Sequence, residues 1–186
     1  MPHHPSEEFA AVEGRWDVKD MVPVRVRRWA TELEAAGHLT NQSPLILAAI
    51  MDRESLGGDA LNPSGPSGTG DGGHGLGLMQ IDRRYHRTFA AAQGPDGVEL
   101  WSTPAWNVLM GAQILAYNLK RFGSNPAALP QAIASYNASE RRVRASIEAA
   151  GNPTGDALVS AVDSVTTGGN YVSTVLTAAR SWGWVG

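Results

Sequence analysis

Apolar residues recur at helical spacing in successive stretches of this chain, parted by breaks rich in glycine and proline. The clearest stretch opens at Ser43-Pro44, a hydroxyl at the N-cap position followed by a proline where a missing N–H costs nothing. Leu47, Ile50, Met51 and Glu54 follow at i, i+3, i+4 and i+7, so one carboxyl group shares the buried face with three apolar side chains. Gly57-Gly58 is expected to stop this helix. An earlier helix is expected over about residues 24–36, ending at Gly37-His38, with Arg25, Arg27 and Arg28 on a solvated face. Thr103-Pro104 opens a long core helix to Phe122, whose apolar stripe is Val108, Gly111, Ala112, Leu115 and Leu119. Further helices are expected over residues 129–137, 140–150, 156–165 and 171–182, and a turn at Gln93-Gly94-Pro95-Asp96-Gly97.

Between the second and third of these helices the pattern changes. Residues 57–77 hold nine of the chain's 21 glycines. That much glycine is entropically costly unless the backbone must turn tightly or approach a ligand. The stretch leads into Leu76, Leu78, Met79 and Ile81, spaced by glycine and closed by Asp82, which predicts a small irregular β element over residues 76–82 folded onto the core. The expected fold class is therefore mainly α, with helices packed around the 43–57 helix and a small β element beside it.

Composition narrows the functional classes. A chain of 186 residues, 42% hydrophobic and 18% charged, suits one domain with a sizeable core, expected over residues 21–186 after an N-terminal arm at 1–20 held at most by Trp16. A net charge of −3 supplies no basic footprint for nucleic acid. No apolar run reaches the length of a membrane span, and residues 1–20 lack the apolar segment of a signal peptide. With no cysteine there is neither a disulfide nor a thiolate metal site, and the five histidines, His3-His4 apart, are scattered.

The candidate chemistry centres on three carboxyl groups. Glu54 sits in the last turn of its helix, where the negative end of the dipole and an apolar surround both disfavour the anion and raise its pKa. A general acid working near neutral pH needs that shift. Asp71 and Asp82 bracket the glycine-rich hairpin, eleven residues apart.

Arg53-Glu54-Ser55, Gly70-Asp71, Gly75-Leu76-Gly77-Leu78-Met79-Gln80-Ile81-Asp82 and Ser135-Tyr136-Asn137-Ala138, in that order, resemble the goose-type lysozymes, relatives of the soluble lytic transglycosylases. The resemblance spans roughly residues 25–182 and implies a lysozyme-like α+β fold. It implies a muramidase that cuts the β-1,4 bond between N-acetylmuramic acid and N-acetylglucosamine in peptidoglycan, inverting, with no cofactor and no metal. Glu54 would be the general acid, Asp82 would hold the attacking water and Asp71 would assist. Gln80, His86, Tyr136, Asn137 and Tyr171 would meet the sugar, the Tyr136 hydroxyl also reaching Glu54, and Tyr171 would be the second tyrosine that the family places near that glutamate. Ser139 departs from the family, which usually has glycine there. Glycan strands are the partner so implied, for a monomer engaging neither nucleic acid nor membrane. The cysteine-free chain fits a microbial or phage origin, either an endolysin released from the host cytoplasm or the excised domain of a secreted protein. A transglycosylase forming 1,6-anhydro ends and a non-catalytic glycan-binding module remain as alternatives.

Overall fold

The computed structural model describes residues 21–123 and 125–186, so the expected N-terminal arm lies outside the described residues. Nine α-helices occur among them: α1 Val24–Arg27, α2 Ala30–Thr40, α3 Pro44–Ser55, α4 Arg87–Ala91, α5 Pro104–Phe122, α6 Ala128–Asn137, α7 Glu140–Ala149, α8 Gly155–Asp163 and α9 Tyr171–Ser181. A three-stranded antiparallel sheet, β1 Thr69–Gly70, β2 Gly75–Leu76 and β3 Ile81–Asp82, pairs Thr69 with Leu76, Gly70 with Gly75, Gly75 with Asp82 and Leu76 with Ile81. The fold is mainly α and lysozyme-like, as the pattern predicts.

Helix α3 is the hub. Its Leu47, Ile50 and Met51 have no exposed surface, and it packs between α9 and α2, while α5 packs against α2 and α6. Each such side chain contributes roughly 1.5–3 kcal/mol by leaving water. Ser43 stands at the N-cap of α3 but makes no side-chain cap; its carbonyl accepts from the Leu47 amide at 3.1 Å. Leu56, Gly57 and Gly58, all at positive φ, end the helix.

The first helix differs from expectation in three ways. It is broken at Arg28-Trp29 into α1 and α2, because both side chains turn to the Gly57 carbonyl, Arg28 Nη2 donating at 2.7 Å and Trp29 Nε1 at 2.8 Å. It also runs through Gly37 to Thr40 before Asn41, at φ 55°, ends it. Gly37 is there for space: a Cβ would sit 2.7 Å from the Gln42 carbonyl oxygen. Lastly, Arg25 and Arg28 remain open to solvent but are paired with acids. Arg25 binds Asp52 through two hydrogen bonds of 2.6 and 3.0 Å, and Arg28 binds Asp59 at 2.6 Å.

Ser139, the departure from the family pattern, caps α7 by accepting from the Arg142 amide at 3.4 Å. Trp182 is buried and Trp184 packs partly buried against the same core, pinning the C-terminus.

Candidate active site

Ser55 and Asn107 fasten the hairpin to the helices. Ser55 Oγ, buried at the end of α3, donates to the Leu78 carbonyl at 2.7 Å and accepts from the Gly58 amide at 3.1 Å. Asn107 on α5 is fully buried; its Oδ1 accepts from the Met79 amide at 2.8 Å, and its Nδ2 donates to the carbonyls of Leu76 and Trp101 at 2.9 and 3.0 Å. Met79 lies on Gly111 of α5, where a Cβ would approach it to 2.8 Å. Gln80, at φ 48°, fills the space left by Gly70 and Gly75 and donates to the Gly77 carbonyl at 2.8 Å. One of the two donor hydrogens of Gln80, a residue expected to meet sugar, is thus used within the hairpin.

Glu54 is half-buried in the last turn of α3. Burial pushes its pKa from the usual 4.5 up to about 7, against smaller opposing pulls from the Tyr171 hydroxyl and the charge of Arg53. The hydroxyl that donates to Glu54 Oε1 is that of Tyr171, the first residue of α9. Tyr136, expected in that role, donates instead to the Met79 carbonyl at 3.0 Å. Its ring comes from the end of α6, where the Met79 carbonyl of the anchored hairpin supplies the nearer acceptor. Burial holds both phenols in the neutral, donating form.

Three groups that sequence reasoning passed over position Tyr171. Asp163, buried at the end of α8, accepts from the Val172 and Ser173 amides at 2.6 and 3.1 Å, an acid set at the start of α9 where the dipole favours it. Arg53 donates to Asn170 at 2.9 Å and stacks over the Tyr171 ring, its guanidinium carbon 5.8 Å from the centroid. Thr166 Oγ1 accepts from the Tyr171 amide at 3.4 Å. Asn137, expected to meet substrate, accepts from the Thr167 amide at 2.7 Å and so steadies the same turn. No periodicity announces such loop contacts, although an aspartate closing one helix eight residues before the next is an available cue.

Asp71 and Asp82 meet on one guanidinium. Arg84 Nη2 lies 2.6 Å from Asp82 Oδ2 and 3.1 Å from Asp71 Oδ2, while its Nε lies 3.0 Å from each Asp82 oxygen. The Arg84 side-chain hydrogen bonds hold the Asp82 carboxyl below its usual pKa, keeping it ionised. Arg84 belongs to the Arg83–Arg87 cluster that the sequence presents as a surface charge run, and exposed pairs of this kind add little to stability.

A groove of about 930 Å³ runs from this corner between β3, α5, α6 and the start of α7. Gln80, Asp82, His86, Tyr136 and Asn137 line it; Glu54, Asp71 and Tyr171 do not. Ser135 Oγ, buried in its wall, has no hydrogen-bond partner among the described residues. Burial pulls the half-buried His86 imidazole below its usual pKa and so favours its neutral form. Among the described residues no three His, Cys, Asp or Glu side chains are grouped to hold a metal ion, and no helix is long and apolar enough to cross a membrane.

The transglycosylase SLT domain family matches residues 33–159. This chain belongs to that family. The matched part of the SLT domain carries Glu54, Asp71, Asp82 and Tyr136, but ends before Asp163 and Tyr171. Lysozyme G of Dromaius novaehollandiae is similar at 29% identity over 123 residues, 63% of this chain and 53% of the relative. Lysozyme g of Casuarius casuarius is similar at the same identity and length, covering 59% of the relative. Lysozyme g of Gallus gallus is 36% identical over 62 residues, 33% of this chain and 28% of its own. The SLT-domain chain thus spans about half the length of the curated relatives it matches, and its likeness to goose-type lysozymes agrees with the motif resemblance.

Proposed function

We propose that this chain cleaves the β-1,4 bond between N-acetylmuramic acid and N-acetylglucosamine in peptidoglycan by direct attack of water, with inversion. The observation that carries this reading is the joining of Asp71 and Asp82 on one guanidinium, in a chain where burial pushes the Glu54 pKa up to about 7. Glu54, with a pKa of about 7, holds its proton through most of the acidic range and would deliver it to the leaving oxygen. Asp82, kept ionised by Arg84, would take the proton of the attacking water, with Asp71 beside it. The names of the similar relatives, lysozyme G and lysozyme g, support the same chemistry. Sugar hydroxyls would meet His86 and Ser135 in the groove.

A second reading, a lytic transglycosylase giving 1,6-anhydro ends, is favoured by the description of the matched family. The two differ by one water in the product, so mass spectrometry of digested peptidoglycan decides between them. Glu54→Gln should abolish cleavage under either, because general acid catalysis supplies about 10²–10⁴-fold. Asp82→Asn should suppress a hydrolase strongly and Asp71→Asn less, with the double variant short of the product of the two effects. Anhydro product, with both aspartate variants near the parent rate, would overturn the hydrolase reading.

A further inference from the structure

We propose that Arg84 is a positioning residue of the hydrolytic site: its guanidinium fixes the spacing of the Asp71 and Asp82 carboxylates, and so the place where the attacking water stands. The inference rests on the reading of those aspartates as the pair that holds water.

Asp71 cannot be held by its own backbone. It stands at φ 48° between Gly70 and Gly72, in a turn where a Cβ at Gly72 or Gly73 would meet nothing within 4 Å. No wall confines the side chain, which is 70% exposed, yet Arg84 Nη2 holds its Oδ2. Asp82 is fixed differently. Its Oδ1 accepts the Arg84 amide at 2.8 Å and Nε at 3.0 Å, and its Oδ2 accepts Nη2 at 2.6 Å. The arginine is thus seated on the ordered strand β3 and reaches across to the glycine turn. One atom, Nη2, touches both acids.

Two carboxylates brought together without that cation would repel, splay apart, or share a proton. The fork matters as well as the charge. A guanidinium offers donors in a fixed plane and can serve two acids at once, whereas an ammonium is a compact point charge on a flexible stem. Fold stability gives no reason for the arrangement, since Arg84 is exposed and pairs of this kind contribute little. The other titratable groups acting on Asp82 are His74, from the turn before β2, and His86, from the turn after β3. Neither bridges the acids.

Arg84→Gln and Arg84→Lys test the proposal on the full chain. Turnover of peptidoglycan fragments is compared with melting temperature and with the carboxyl titration of Asp82 followed by NMR. For Arg84→Gln, kcat should fall by about 10²-fold, the scale of a misplaced reacting group, with KM and melting temperature little changed. The Asp82 titration and the acid limb of the pH–rate profile should both move to higher pH. Arg84→Lys should keep the Asp82 titration nearer the parent's, because the charge remains, yet fail to restore kcat, because the fork is gone. A kcat for Arg84→Gln within about threefold of the parent, or a loss appearing only in KM or melting temperature, would overturn it. The titration needs no turnover: an unmoved Asp82 in Arg84→Gln sinks the clamp whatever the product, whereas an anhydro product from the parent sinks the hydrolase reading alone.

Discussion

Two tyrosines, Tyr171 buried and Tyr136 half-buried, do different work around Glu54. The Tyr171 hydroxyl donates to the carboxyl and favours its ionised form, so Tyr171→Phe should raise the Glu54 pKa beyond about 7. An activity that needs protonated Glu54 is lost as pH rises through that value. The alkaline limb of the Tyr171→Phe pH–rate profile should therefore lie at higher pH than the parent's. Tyr136→Phe instead strips a partner from the Met79 carbonyl and should cost about 1–3 kcal/mol in denaturant unfolding, leaving the alkaline limb near the parent's. Glu54 itself is legible in the sequence because an acid at i+7 on an apolar helix face stands out. The resemblance sets both tyrosines near it, but that Tyr171 and not Tyr136 makes the bond is not legible, since that is decided by where Asp163, Asn137 and Arg53 set the turn before α9.

At the scale of elements, the hairpin has strands of two residues each and cannot stand alone. Its order is borrowed from buried side chains, Ser55 at the end of α3 and Asn107 on α5, each bonded to backbone groups of the 76–79 segment. Asn107→Ala removes one acceptor and two donated bonds from a fully buried place, so unfolding free energy should fall by about 3 kcal/mol or more, measured by urea titration. The long helices were readable from spacing, proline and glycine alone; α5 begins and ends where Thr103-Pro104 and Gly123 imply. The expected end of the first helix at Gly37 failed because that glycine answers a close approach by Gln42 and Pro44 rather than a turn. The Arg84 bridge was hidden for a related reason: a run of basic residues has the same appearance whether solvated or aimed at two acids across a hairpin.

For the molecule as a whole, Glu54 is a liability. Its folded pKa of about 7 lies above the ordinary 4.5, so folding resists its ionisation. The unfolded chain releases the proton first, and the resulting loss of stability begins above pH 4.5, grows to about pH 7 and is then constant. At 1.36 kcal/mol per pH unit this comes to about 3 kcal/mol. Glu54→Gln, which cannot ionise, should match the parent's thermal stability near pH 4.5 and exceed it at pH 8, a difference that calorimetry at the two pH values would reveal. The contact that completes this group joins residues 117 positions apart in sequence. Because α9 packs against α3, part of the burial that lets Glu54 keep its proton arrives only when α9 docks, far along the chain from the helix that carries the acid.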